Sequence, residues 1–271
     1  MRVGRCFRVK GAHKYEKSRE LPARPAGPQR DTQGLGAMLQ GNVMDRTDPD
    51  YAPLDPVAAR QRMVDAQIRP AQVSNPAVIA AMRALPRELA VPPALRAFAY
   101  ADQNLPLGEG RYLTEPRVTG RMLQVADIHP GARVLVVGAG TGYVAALLAG
   151  MGQGLVVTAL ESDARLAAAG RDLCRQWAPD VHWHEGALVK GDAADGPYDL
   201  ILIDGAVRQV PPALVAQLAE GGRIIAPICA DGGVTSVSLV LPTPQGSAAQ
   251  PLFDAAVPLL PELEPAPAFV F

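Results

Sequence analysis

The stretch Val134-Leu-Val-Val-Gly-Ala-Gly-Thr-Gly-Tyr143 constrains this chain more than any other: four apolar residues run straight into Gly138-x-Gly140-x-Gly142. A short apolar run closed by glycine reads as a fully buried strand ending in a turn too tight for side chains. Val144 to Leu148 can start a helix directly afterwards. Strand, glycine turn and helix in that order are expected to present unpaired backbone N–H groups to a cleft that holds a nucleotide-like ligand. The dinucleotide fingerprint wants its third glycine where Tyr143 stands, whereas G-x-G-x-G suits a nucleoside with no pyrophosphate to approach. The spacing therefore favours S-adenosylmethionine over NAD.

From Arg133 onward the chain alternates strands and helices. Strands are predicted at Val134–Val137, Leu155–Leu160, Val181–Glu185, Leu200–Ile203, Arg223–Ile228 and Thr235–Leu241. Helices are predicted at Tyr143–Leu148, Ala164–Cys174 and Pro211–Leu218. Such alternation implies an α/β fold, a doubly wound and mostly parallel sheet with helices on both faces. Asp231-Gly-Gly and the proline-heavy tail from Pro242 predict that the last strands return as an antiparallel edge. Upstream, Val57, Ala58, Met63, Val64 and Ile68 suggest an amphipathic helix from Asp55 to Ile68. Ser74-Asn-Pro76 reads as a helix start that Pro86 stops, and Thr114-Glu-Pro116 opens another helix to Val125. Between them, Val91 to Gly110 reads as an ordered loop whose Phe98 and Tyr100 need burial.

Charge divides the chain further. Residues 1–43 hold nine Lys or Arg against three Asp or Glu, with no apolar periodicity, so a disordered basic extension or an over-long start is expected there. Residues 44–130 form an N-terminal helical and substrate-side segment, and 131–271 the Rossmann-like core, with 44–271 making one structural domain. A net charge of −1 gives no reason to expect nucleic acid or an anionic membrane as partner. Cys6, Cys174 and Cys229 are widely spaced, which argues against a disulfide framework and for a reducing compartment. His182-x-His184 puts two rings on one face of a strand, but no further Cys or His lies nearby, so no metal is expected. No apolar run approaches the roughly 20 residues that span a bilayer.

Acidic residues at predicted strand ends are the candidate ligand groups. Glu161 stands 19 residues beyond Gly142, where a carboxylate can accept both hydrogen bonds of a ribose diol. The bland reading is a solvated acid in the turn that caps the next helix. Glu185-Gly186 closes the third strand, where the acid could take an adenine amino group and the glycine admit the ring; a surface acid fits equally well. Asp204 ends the Tyr198-Asp-Leu-Ile-Leu-Ile run and faces the ligand crevice, while Asp199 starts that strand and serves structure. No G-x-S-x-G elbow and no cysteine with a nearby histidine suggests covalent catalysis. Methyl transfer to a carboxylate needs neither, because the electrophile is the cofactor's own sulfonium.

Met63-Val-Asp-Ala-Gln-Ile-Arg69, Ala81-Met82, Leu85-Pro-Arg-Glu-Leu-Ala-Val-Pro92, Ala99-Tyr-Ala-Asp102, Leu105-Pro-Leu-Gly108 and Gly110-Arg-Tyr-Leu-Thr-Glu-Pro116 follow one another in order. With the glycine turn and Gln217-Leu-Ala-Glu-Gly-Gly-Arg223, they resemble the protein-L-isoaspartate (D-aspartate) O-methyltransferase family from about Pro56 to Pro227. The resemblance implies a Rossmann-like S-adenosylmethionine-dependent methyltransferase that esterifies isoaspartyl residues of damaged proteins or peptides. It further implies a cytoplasmic enzyme, expected as a monomer. It places Thr114 at the position of the family's active-site serine hydroxyl and Asp204 near the site meant for the carboxylate substrate, the two catalytic candidates. Gly138, Gly140, Gly142, Tyr143, Glu161, Glu185 and Gly186 become the cofactor-binding candidates. Six positions at four places depart from the family pattern: Arg111-Tyr112 replaces Gln-Thr, Thr114 replaces Ser, Val136 replaces an acid in the first strand, and Asp204-Gly replaces Thr-Ala. A related methyltransferase with another acceptor, or a decayed cofactor-binding protein, remains the alternative.

Overall fold

A computed structural model describes residues 55–230 and 233–264. The basic extension expected over 1–43 lies outside the described residues. Asp55 caps α1 (Pro56–Met63), its Oδ1 accepting from the Val57 amide at 2.9 Å, and the chain runs on through a π-helical turn, Val64–Ile68. Asn75 caps α2 (Pro76–Ala84) by accepting from the Ala77 amide at 2.9 Å. A short antiparallel hairpin, β1 (Leu105–Gly108) and β2 (Arg111–Leu113), precedes α3 (Pro116–Val125). The alternating core then runs β3 (Arg133–Val137), α4 (Tyr143–Ala149), β4 (Val156–Glu161), α5 (Ala164–Trp177), β5 (His182–Glu185), β6 (Tyr198–Ile203), α6 (Pro212–Val215), β7 (Leu218–Cys229), β8 (Thr235–Thr243) and β9 (Gly246–Asp254).

The seven long strands form one sheet in the order β5-β4-β3-β6-β7-β8-β9. Pairing is parallel from β5 to β7 and antiparallel from β7 to β9. The expected doubly wound sheet with an antiparallel edge is therefore present. Successive strand residues point to opposite faces, and the burial follows that rule. Val134, Val136, Val157, Ala159, Leu200 and Leu202 join one core with residues of α2–α5. Leu135, Val137, Leu160, Ile201 and Ile203 join a second, closed by Leu188, Leu214, Leu260 and Leu263. The order reverses between β3 and β6, and the crevice beyond their carboxyl ends is where ligands of such sheets bind.

Four expectations change. The helix predicted over Pro211–Leu218 is a single turn, and β7 already starts at Leu218; Gly222 then lies so close to the Tyr198 carbonyl that no Cβ would fit. β9 was not expected, because nearly every residue in it is exposed and it lacks the alternation that reveals a half-buried strand. Phe98 and Val57 were expected inside and are 53% and 63% exposed. Of the apolar positions drawn on that first helix, burial falls on Met63, Val64 and Ile68 instead.

Candidate active site

The glycine turn closes β3 as its residues require. Gly138, Gly140 and Gly142 have φ values of +73°, +56° and +80°, a region that costs other residues about 1 kcal/mol or more. At Gly142 a Cβ would also press on Trp183 at 2.9 Å and on the Gly170 carbonyl at 3.1 Å. Four of the turn's amides are already engaged, however. The Gly138 and Ala139 amides both donate to the Leu160 carbonyl at 3.0 Å, and Gly142 donates to Ala139 at 2.8 Å. The Gly140 amide donates to Glu161 Oε2 at 2.6 Å. β4 takes up the amides at the start of the turn, and the free N–H groups are left at the first turn of α4, which has no side-chain cap.

Glu161 is fully buried at the end of β4. Arg111, itself 3% exposed, grips it with both arms of the guanidinium, at 2.7 Å to Oε1 and 2.8 Å to Oε2. Oε1 also accepts from the Ser162 and Asp163 amides at 2.8 and 2.9 Å. With the Gly140 amide and the Ser162 hydroxyl at 3.4 Å, six donors share a carboxylate that has about four lone-pair sites. The capping role goes to Asp163, whose Oδ1 accepts from the Arg165 and Leu166 amides. Burial works against the charge of Arg111, yet the Glu161 pair, joined by Glu262 at 3.1 Å, holds the guanidinium above its ordinary pKa. Arg111 was missed as a site residue. Its signal was present: period two places it on the same buried face as Leu113, and a buried cation demands a buried anion.

At the end of β6 the second acid has poorer company. Thr114 Oγ1 donates to Asp204 Oδ1 at 2.9 Å, which joins the two catalytic candidates across 90 residues of sequence. Asp204 is 8% exposed. Burial pushes its carboxyl up to about 6, against the Thr114 bond and the Arg111 and Arg87 charges. Arg87, also missed by the sequence reading, is fully buried and donates to the Thr114 carbonyl at 2.6 Å and the Ala99 carbonyl at 2.8 Å. Its guanidinium lies 4.9 Å over the Tyr143 ring. Tyr143 is thus packed beneath Arg87 in the first core, and burial pushes its phenol up.

The remaining candidates sit on the rim. Glu185 is in register with Glu161 but is 43% exposed at its side chain and pairs with Arg171. The Gly186 amide donates to the Glu161 carbonyl at 3.0 Å. Val136 is fully buried, and Asp199 accepts from the Arg133 amide at 2.8 Å, where β3 and β6 begin. On the outer strand β5, His182 and His184 reach Asp195 at 3.3 and 3.2 Å, away from the crevice.

The crevice itself is filled by the chain. After β9, Leu259 forms a parallel bridge with Ala206, with the Ala206 amide donating to Pro258 and the Leu260 amide to Ala206, both at 2.8 Å. Leu260, 4% exposed, lies where a Cβ on Gly205 would collide with it and 3.1 Å from one on Gly138. A cavity of about 10 Å³ remains beside Thr114 and Asp204, whereas small-molecule sites usually measure about 300–1,000 Å³. A space that small beside Thr114 and Asp204 admits no nucleoside while Leu260 stands there.

The strand order, the switch-point crevice and the acid-ended parallel strands define a Rossmann-like methyltransferase fold. Within that class, the chain belongs to the protein-L-isoaspartate(D-aspartate) O-methyltransferase family, whose sequence profile matches residues 58–240. It is 40% identical over 185 residues to the protein-L-isoaspartate O-methyltransferase of Methylorubrum extorquens, covering 68% of this chain and 80% of that one. It is 37% identical over 202 residues to that of Gloeobacter violaceus, covering 74% and 98%. A solved protein-L-isoaspartate O-methyltransferase shares the fold with a TM-score of 0.65 at 22% identity, over 76% of this chain and 67% of its own. A structure described as a Plasmodium falciparum beta-aspartate methyltransferase in complex with S-adenosyl-L-homocysteine gives 0.63 at 19% identity, over 76% and 98%.

Proposed function

We propose that the chain methylates the carboxylate of L-isoaspartyl residues in damaged proteins or peptides, with S-adenosyl-L-methionine as the methyl donor. One observation carries the reading: the family match runs unbroken over residues 58–240 and so spans Thr114, the glycine turn, Glu161 and Asp204. Glu161 would receive the ribose diol, and Gly138, Gly140, Gly142 and Tyr143 would form the floor under the nucleoside. Glu185 and Gly186 would lie at the adenine end. Thr114 and Asp204 would face the acceptor, whose oxygen they hold in line with the methyl group. A carboxyl that titrates at about 6 repels an acceptor carboxylate when ionised and can donate a hydrogen bond to it when protonated. The KM for an isoaspartyl peptide is accordingly expected to fall as pH drops through 6.

The test is methyl transfer from tritiated S-adenosylmethionine to matched isoaspartyl and aspartyl peptides. Label on the isoaspartyl peptide alone supports the reading, and equal label on both points to another acceptor. Binding without transfer would favour a decayed protein, the reading suggested by Val136 and by the engagement of Glu161 with Arg111. A net charge of −1 gives no electrostatic pull toward nucleic acid, and three widely spaced cysteines fit the reducing conditions of a cytoplasmic enzyme. Among the described residues no helix is long and apolar enough to cross a membrane.

A further inference from the structure

We propose that Arg111 is a positioning residue that gates the cofactor site: with the segment Val257–Leu263 it forms an internal plug, and S-adenosylmethionine binds only by displacing both. The inference rests on the cofactor reading above and adds to it a device built from this chain's own residues. Ligands of doubly wound sheets enter the crevice where strand order reverses, and here that crevice lies between the ends of β3 and β6. Leu260 stands in it, against Gly138 on one wall and Gly205 on the other. Its burial also helps to close the second core.

The polar end of the crevice is occupied in the same way. A ribose diol needs two free acceptor positions on Glu161, and Arg111 takes one on each oxygen. Arg111 then links the plug to the site. Its Nη1 lies 3.1 Å from Glu262 Oε1, and Ser162 Oγ donates to the same oxygen at 3.1 Å. Pro261 Cγ lies 3.0 Å from the position of a Cβ on Gly110. One guanidinium therefore holds the acid of the site and the acid of the plug together. Apolar and ionic contacts close the crevice from both sides of the turn.

The attachment is also of a kind that can release. Two backbone bonds at Ala206, which together make its parallel bridge with Leu259, tie the segment to the β6 end. Glu262 is one-third exposed at its side chain, so water can replace its partners as the segment lifts. Arg111 sits on the β1–β2 hairpin, which joins neither edge of the main sheet. Its withdrawal from Glu161 leaves the three backbone amides on that carboxylate in place.

The test is calorimetric titration of the full chain with S-adenosyl-L-homocysteine, paired with hydrogen exchange at the Leu260 and Ala206 amides. Arg111→Gln is expected to bind at least tenfold tighter than the unaltered chain, and Leu260→Ala and Glu262→Gln about threefold tighter. Ligand added to the unaltered chain is expected to speed exchange at both amides. If Arg111→Gln fails to fold, the other two variants decide the matter, since each leaves the Arg111–Glu161 pair intact. Equal affinity in all forms, with exchange at both amides unchanged by ligand, overturns the plug and leaves the cofactor reading standing. No binding by any form, Arg111→Gln included, overturns the cofactor reading and the plug with it.

Discussion

Two acids stand at the ends of the strands that flank β3 in the parallel sheet and lead opposite lives. Glu161, at the end of β4, is fully buried and held by a bidentate guanidinium and three backbone amides. Asp204, just past β6, is nearly as buried but has one hydroxyl as its bonded partner among its side-chain contacts. Burial is common to both, so compensation makes the difference. A buried carboxylate stays charged at low cost only where fixed donors replace its water. Glu161 has them in full. Asp204 lacks them, its pKa climbs to about 6, and it becomes a group that can change state near neutral pH. Sites that run acid and anion chemistry side by side commonly separate their carboxyls in this way.

The comparison breaks most readily at Glu161. Glu161→Ala leaves the Arg111 charge buried with its main partner gone, an event that costs about 3–5 kcal/mol; urea unfolding that shows less than about 1 kcal/mol would refute Glu161 as the buried partner that compensates Arg111. Next comes Gly140→Val. At φ +56° a β-branched residue forces the turn to move and pulls the amide off Glu161 Oε2, and at least a hundredfold loss in S-adenosyl-L-homocysteine affinity by calorimetry is expected. Unchanged affinity would remove the glycine turn from the site.

Asp204 should respond with the opposite sign. Its folded pKa is raised, so the stability linked to it is full below the unfolded value of about 4 and is lost as pH rises through about 6. Asp204→Asn is therefore expected to stabilise the fold at pH 7 by about 1–3 kcal/mol and to flatten the stability slope between pH 4 and 6. A destabilised variant with the slope intact would show that Asp204 is not the titrating group. The smallest effect is reserved for Thr114→Ala. It removes the Oγ1–Asp204 bond and is expected to slow methylation of an isoaspartyl peptide about tenfold, near 1.4 kcal/mol, with cofactor affinity nearly intact. Equal rates would take the hydroxyl out of the mechanism.

Much of this was legible before any coordinates. The β3 run into Gly138-x-Gly140-x-Gly142, the caps at Asn75 and Asp163, and the strands from β3 to β8 announce themselves by local period and turn chemistry. β9 did not, because its order comes from backbone pairing with β8 rather than from an apolar face. The candidate acids were found by their positions at strand ends, yet their partners were not. Arg111 lies 50 residues from Glu161, and Thr114 lies 90 from Asp204. Glu262 and Leu260 come from a tail whose prolines read only as punctuation.

Sequence alone thus determined the class of fold and the family, since both rest on periodicity and ordered motifs carried within short stretches of chain. Tertiary structure decided which charges neutralise each other and whether the crevice stands open. Those outcomes depend on burial and on contacts between distant segments, where a hydrogen bond of 2.7 Å exists or does not. Glu161 and Asp204 read alike as acids at strand ends; only their buried neighbours give one a full set of donors and leave the other a switchable acid.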